Sequence, residues 1–161
     1  MDLIICVSGS GGGSTGPNGL YDSLLFVVKS SFDVILFDTI PDDIFLNVAS
    51  LIEIIKSKNG CYDRTFLIGW SMGGAVVVQT AYIANMFVRP HAISGLVLLA
   101  SQSANAGIIK YLNLAHGILF LHGTNDSAIT FSSSLSLYNR CYCKKQLVQL
   151  QEKVKDIAAT G

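Results

Sequence analysis

A serine flanked by glycines stands where an apolar segment gives way to a run of small residues. The chain reads Gly69-Trp-Ser71-Met-Gly73 after the apolar stretch 65–68 and before the small-residue stretch 75–81. This order predicts a strand, a sharp turn and a helix, with Ser71 held in strained φ/ψ and its hydroxyl lifted clear of a sheet. Glycine is needed on both sides because a Cβ there would collide with neighbouring backbone. Ser71 is therefore a candidate nucleophile, although a plain strand-to-helix turn can show the same pattern.

Backbone N–H groups near this turn could stabilise the negative charge that develops during an attack by Ser71. The turn aims the N-terminus of the predicted helix at the reaction centre, where the helix dipole favours an anion and the Met72 N–H can donate to it. The glycine-rich loop 8–13 follows the first predicted strand, and its small residues let N–H groups approach a ligand closely.

The same glycine loop has a second interpretation as a nucleotide site. Residues 11–16 spell Gly-x-Gly-x-x-Gly, and Asp38 ends the next strand, as in dinucleotide-binding proteins. Against this interpretation, Gly9 is the glycine that directly follows the strand, and counting from it puts Ser14 at the third glycine position. Residues 17–19 also delay the helix whose N-terminus would meet a pyrophosphate. Nucleotide binding by the loop Gly9 to Gly16 stays an alternative.

The elements that must position these residues alternate between strand and helix. Apolar runs and their spacing predict strands at 3–7, 33–37, 65–68, 93–100 and 118–121, and helices at 20–30, 41–58, 75–87 and 135–143. Residues 146–157 fit either an edge strand or a helix, and the pattern leaves both open. The alternation predicts the α/β class, a doubly wound, mostly parallel sheet of five or six strands with its site at the strands' carboxyl ends.

The amino-acid composition limits the classes of function that are possible. The 161 residues are half hydrophobic with zero formal net charge, which predicts a single domain over residues 1–161 and gives no basic stripe for nucleic acid. No apolar run is long enough to span a membrane, and the N-terminus shows no secretory signal, so we expect a cytoplasmic protein. We expect no cofactor and no metal site.

The cysteines show neither disulfide-framework nor zinc spacing. They are Cys6, Cys61, Cys141 and Cys143. The last two are one residue closer than in a Cys-x-x-Cys motif, and reduced, structural thiols are the expectation for all four.

Three strand-end features together resemble the α/β-hydrolase family over nearly the whole chain, as a minimal core of that fold. They are Ser71, the glycine loop, and the segment His122-Gly-Thr-Asn-Asp126. The resemblance implies that Ser71 is the nucleophile, that the N–H groups of Ser10 and Met72 form an oxyanion hole, and that Asp126 orients a catalytic histidine. Asp126 could instead cap a turn, as aspartates in such contexts do.

The family's pattern requires a histidine after the acid, and this chain has none beyond Asp126. We expect His91 and His116 at the opposite edge of the sheet from Ser71, because each precedes a strand. His122 lies at the correct edge and is a candidate base, although a residue at that family position more often braces the loop than takes a proton.

Where the family would place its histidine, the sequence reads Glu-Lys-Val-Lys-Asp at 152–156. Lys153 or Lys155 could take the role, since Ser–Lys pairs exist, yet both resemble solvated charges. Loss of the histidine from a triad costs on the order of 10⁶ in kcat. The chain is then either a serine hydrolase incomplete or altered after about residue 150, or an inactive relative kept for binding or as a scaffold.

The span from Ser101 to Gly117 is short where many family members insert a lid. An open site suits small soluble esters or thioesters better than long lipid chains. The leading hypothesis is a carboxylic-ester hydrolase that forms an acyl-serine intermediate, with Trp70 and Met72 lining the acyl side or else packing under the loop.

Overall fold

Six parallel strands form one sheet in the computed structural model, which describes residues 1–10 and 13–151. The strands are β1 Asp2–Val7, β2 Phe32–Phe37, β3 Thr65–Trp70, β4 Gly95–Leu99, β5 Gly117–Gly123 and β6 Lys145–Leu150. Their order across the sheet is β2-β1-β3-β4-β5-β6, and every pairing is parallel. The predicted doubly wound sheet is confirmed, with six strands.

Four α-helices connect the strands in the described part of the chain. They are α1 Leu20–Val28, α2 Ile44–Ser57, α3 Met72–Ile83 and α4 Phe131–Arg140, with 3₁₀ turns at Pro17–Gly19 and Gly107–Tyr111 and a π-helical turn at Ala84–Val88.

The helix boundaries differ from the predicted ones, most clearly in the last three helices. The second helix begins at Ile44, because the Asp43 side chain accepts a hydrogen bond from Leu46 N at 3.0 Å and caps it. The third begins at Met72, since the turn at Ser71 leads into the helix without a linker. The fourth spans Phe131–Arg140 and ends where Cys141 turns to extended backbone, earlier than predicted.

Among the described elements, α2, α3 and α4 cover one face of the sheet and α1 covers part of the other, which explains the continuous apolar strands. One core cluster joins Ile5 and Leu67 of the sheet to buried residues of α2, α3 and α4, among them Val76. On the other face, Tyr21 of α1 packs with Ile68 and neighbouring residues. Successive strand residues thus point to opposite cores.

The chain reverses its direction of winding at β1, which pairs with β2 on one side and β3 on the other. Loops that leave such strands diverge and open a crevice at the carboxyl edge. Because Val7 is in register with Gly69, the glycine loop after β1 begins beside the turn after β3. This switch point positions the candidate site.

The sequence pattern left open whether residues 146–157 form a strand or a helix. Residues 145–150 form a strand, because pairing with β5 satisfies their backbone groups. The rest of the ambiguous segment, 152–157, lies outside the described residues. Within the described part of the chain, no helix combines the length and apolarity needed to cross a membrane.

Candidate active site

Ser71 occupies a strained turn between β3 and α3. Its φ of 56° and ψ of −119° lie outside the regions that non-glycine residues normally adopt. Three backbone hydrogen bonds hold the turn: from Ser71 N to Leu99 O and from Gly74 N to Ser71 O, both 3.0 Å, and from Gln102 N to Ser71 O at 3.2 Å. The strained turn expected of an exposed nucleophile is therefore present.

The glycines around Ser71 allow backbone segments to touch. A Cβ on Gly69 would run into the carbonyl of Gly73, and a Cβ on Gly73 would run into the carbonyl of Ser8. A Cβ on Gly74 would overlap the Ser101 side chain. The predicted need for glycine on both sides of the serine is thus explained by contacts within the turn and with the strand-end loop.

The glycine loop lies directly against the turn. A Cβ on Gly9 would stand 3.3 Å from the Ser71 Cβ, so the two backbones are neighbours. Ser10 follows and is exposed. Met72 is the first residue of α3, where N–H groups have no partner within the helix. The two predicted oxyanion donors thus belong to segments that meet at Ser71, and their role remains a prediction.

Two residues that the sequence analysis missed anchor this loop. The buried Thr39 hydroxyl donates to Gly9 O at 2.6 Å and lies 3.0 Å from the Ser8 hydroxyl. The Tyr21 hydroxyl donates to Val7 O at 2.9 Å, and burial raises the pKa of Tyr21 well above its usual value, so the donor keeps its proton. The sequence could have indicated Thr39, because it lies just past β2, at the same edge of the sheet as the glycine loop.

In the nucleotide interpretation, Asp38 would accept a hydrogen bond from a ribose hydroxyl. In the structure its side chain closes the glycine loop instead. Its Oδ1 accepts a hydrogen bond from Gly13 N at 2.7 Å. The helix that would meet a pyrophosphate begins only at Leu20, behind the 3₁₀ turn Pro17–Gly19, as the sequence order predicted. The oxyanion-loop interpretation stays a prediction.

A cleft of about 270 Å³ joins the two strand ends that carry Ser71 and Asp126. Trp70, Ala100 and residues 127–129 complete its lining. The predicted nucleophile and acid therefore share one cavity, and Trp70 lies where the acyl side was expected. The Met72 side chain is 4% exposed and is not part of this lining.

Asp126 is half-buried and caps its own turn. Its Oδ1 accepts hydrogen bonds from Ala128 N at 2.9 Å and from Ile129 N at 3.1 Å. Among the described residues, none donates a hydrogen bond to its other oxygen, Oδ2. Asp126 therefore caps its turn, as the alternative interpretation predicted, and its Oδ2 remains for the predicted role of orienting a base.

His122 uses both ring nitrogens to brace the Asp126 loop. It is fully buried, with Nδ1 2.6 Å from Ser134 Oγ and Nε2 2.7 Å from Ile129 O. A carbonyl can only accept, so Nε2 carries a proton, and in the neutral ring Nδ1 accepts from the serine hydroxyl. With both nitrogens engaged and its own side chain absent from the cleft lining, His122 has the geometry of a brace rather than of a base.

The other two histidines lie at the opposite edge from Ser71, as predicted. His116 precedes β5, and its Nε2 is 3.2 Å from Arg64 Nη1, just before β3. His91 is exposed and precedes β4. The sequence has three histidines, and none lines the described cleft.

Lys153 and Lys155, the two lysines considered as alternative bases, fall outside the described residues. Across residues 1–10 and 13–151, no group of three or more His, Cys, Asp or Glu side chains could hold a metal ion.

Comparisons with known proteins place this geometry in context. No family model and no curated protein matches the sequence. Among solved structures, a lipase-esterase related protein from Clostridium acetobutylicum superposes with a TM-score of 0.75 at 13% identity, over 99% of this chain and 90% of that one. A Pyrococcus furiosus esterase superposes with a TM-score of 0.75 at 13% identity, over 99% of this chain and 76% of that one. The type II thioesterase BorB from the borrelidin biosynthetic cluster superposes with a TM-score of 0.70 at 13% identity, over 92% of this chain and 83% of that one. At such identities the likeness concerns architecture, and the resemblance seen in the sequence is confirmed at that level: the chain has the α/β-hydrolase fold.

Proposed function

We propose that this protein is an α/β-type hydrolase of small carboxylic esters or thioesters that works through an acyl-serine intermediate on Ser71. The observation that carries the proposal is the strained Ser71 backbone at the start of α3, inside a cleft shared with Asp126. The structural neighbours named above are a lipase-esterase related protein, an esterase and a thioesterase, which supports the same reaction class. A small-molecule substrate and the cytoplasmic location are parts of this proposal.

In the proposed reaction, Ser71 Oγ attacks the substrate carbonyl carbon and the carbonyl oxygen becomes an oxyanion. The N–H groups of Met72 and Ser10 donate to this oxyanion, and the dipole of α3 adds to the stabilisation. Removing one such donor typically costs about 10²–10³ in kcat. Collapse of the adduct expels the alcohol or thiol, and water then releases the acid.

The proton of Ser71 needs an acceptor, and no imidazole lines the described cleft. We therefore propose a slow enzyme, on the order of 10⁶ below a complete triad. The Oδ2 atom of Asp126, unused within the described residues, is the proposed orienting group for a base. Added imidazole is a small base that can enter an open cleft, so the proposal predicts that it accelerates turnover.

The test compares two serines of the same cleft. Hydrolysis of p-nitrophenyl acetate and of an acetyl thioester is measured with increasing imidazole in the wild type, Ser71→Ala and Ser127→Ala. We expect weak wild-type turnover that rises with imidazole, the same behaviour in Ser127→Ala, and only the solution background in Ser71→Ala. Equal rates in wild type and Ser71→Ala would refute the proposal.

A second candidate function is binding without turnover, and the missing imidazole is the observation that favours it. In that case calorimetry with a non-hydrolysable amide analogue detects binding to the cleft, while ester turnover shows no dependence on Ser71. Ser71-dependent turnover of either substrate eliminates this candidate.

A further inference from the structure

Two cysteines lie close together at the amino edge of the sheet, the opposite edge from Ser71. Cys141 follows α4 and Cys143 precedes β6, and their Sγ atoms are 3.4 Å apart. Both are free thiols. A disulfide bond measures about 2.05 Å, so the two sulfurs need to approach by only about 1.4 Å to bond.

The two thiols are unequal in exposure and in hydrogen bonding. Cys141 is 1% exposed, whereas Cys143 is half-buried and within reach of a solute. The hydrogen bond between them and burial raise the pKa of Cys141, and the same bond lowers the pKa of Cys143. A hydrogen bond from the Leu114 backbone further favours the Cys143 thiolate. Cys143 is thus the nucleophile of the pair, and Cys141 keeps its proton.

A lysine ammonium stands beside the pair. Lys145 Nζ donates to Tyr138 O at 2.7 Å and to Cys141 O at 2.9 Å, which fixes it against the end of α4. Its charge favours the thiolate form. An accessible thiolate, a neighbouring thiol and a fixed cation together form the environment in which cysteines react.

We propose that Cys141 and Cys143 form a redox-active dithiol that exchanges with low-molecular-weight disulfides and closes into a Cys141–Cys143 disulfide. This inference goes beyond the proposed hydrolysis and does not depend on it. It replaces the expectation of purely structural thiols for these two residues.

The exchange has two steps. The Cys143 thiolate attacks one sulfur of the small disulfide, which forms a mixed disulfide and releases one small thiolate. The Cys141 sulfur then attacks the Cys143 sulfur, its proton passes to solvent or to the released thiolate, and the second small thiol leaves. Two protein thiols are oxidised, and one small disulfide is reduced to two thiols.

The chain offers matched comparison thiols. Cys6 is fully buried, and burial raises its pKa to about 12, so it should not react. Cys61 is exposed and belongs to no pair, so it should form a mixed disulfide and proceed no further.

The test uses oxidised glutathione at pH 7, followed by alkylation of the remaining thiols and peptide mapping by mass spectrometry. In the wild type we expect Cys143 to react about tenfold faster than Cys61, and Cys141 and Cys143 to lose alkylation together as a cross-linked peptide. In Cys141→Ala, a glutathione adduct should accumulate on Cys143. In Cys143→Ala, Cys141 should stay unmodified, with circular dichroism confirming that both variants fold.

A second readout follows the rate of Cys143 alkylation against pH. Half-maximal reactivity should lie well below the ordinary thiol value near 9 and move upward in Cys141→Ala, because the stabilising hydrogen bond is removed. A lasting glutathione adduct on wild-type Cys143 with Cys141 still alkylated would overturn the proposal. Reactivity of Cys143 no greater than that of Cys61 would also overturn it.

Discussion

The two halves of the candidate site differ in how they are built. The nucleophile half, formed by the Ser71 turn and the glycine loop, consists of backbone segments in close contact. Cβ atoms on Gly69 or Gly73 would overlap other backbone there. The acid–base half, around Asp126 and His122, is built from side-chain hydrogen bonds, and its histidine is fully used in bracing.

This difference has a chemical consequence. The nucleophile half contains the N–H groups proposed to stabilise a tetrahedral adduct, whereas the acid–base half holds a carboxylate without an imidazole in its cleft. Oxyanion stabilisation and binding alone leave about 10³–10⁴ of catalysis over water in enzymes whose triad is removed. The comparison therefore predicts a reactive turn with slow proton transfer.

The largest expected effect comes from disturbing the backbone contact in the nucleophile half. Gly69→Ala places a methyl group against backbone atoms of residues 73 and 74, which cannot move without opening the turn. We expect the free energy of unfolding to fall by about 3 kcal/mol in urea titrations. Gly107→Ala is the matched control, because its added Cβ meets nothing within 4 Å. Equal stabilities of the two variants would refute the contact.

A substitution of His122 in the acid–base half should lower the stability of the protein and leave the reactivity of Ser71 nearly unchanged. His122→Ala leaves the Ser134 hydroxyl and the Ile129 carbonyl without partners, and we expect a loss of about 2 kcal/mol in unfolding free energy. The rate at which a fluorophosphonate labels Ser71 should change by less than about tenfold, since loss of a general base costs on the order of 10⁶. Unchanged stability with labelling abolished would show instead that His122 is the base.

A smaller effect is expected where the glycine loop is anchored. Thr39→Val removes the hydroxyl that donates to Gly9 O, and we expect a loss of about 1 kcal/mol in unfolding free energy. Labelling of Ser71 should slow as well, because the loop that carries Ser10 loses its anchor. Thr39→Ser retains the hydroxyl and should label at close to the wild-type rate. A Thr39→Val variant that labels like wild type would show that the anchor is unimportant for the site.

The same contrast explains what the sequence could predict. The turn around Ser71 is determined locally, by glycine at fixed spacing after an apolar strand, so a short motif was sufficient. The doubly wound sheet followed from alternating apolar runs, because parallel strands buried on both faces contain few polar residues.

The contacts that the sequence analysis missed join residues far apart in the chain. Thr39 anchors Gly9 across thirty positions, and Tyr21 of α1 reaches Val7 at the end of β1. Asp126 is different, because its bonds to Ala128 and Ile129 are local and the turn-capping alternative had been predicted beside the acid role. Pairing with β5 decided the strand at 145–150, where the sequence pattern alone fitted two structures.

The central claim is that Ser71 is a reactive nucleophile on its strained turn. The most direct measurement is incubation of the folded protein with a fluorophosphonate probe, followed by peptide mapping, with Ser71→Ala and Ser127→Ala alongside. We expect one adduct, on Ser71, that forms faster with added imidazole, persists in Ser127→Ala and is absent from Ser71→Ala. A folded wild-type protein without an adduct on Ser71, or with one on Ser127 instead, would contradict it.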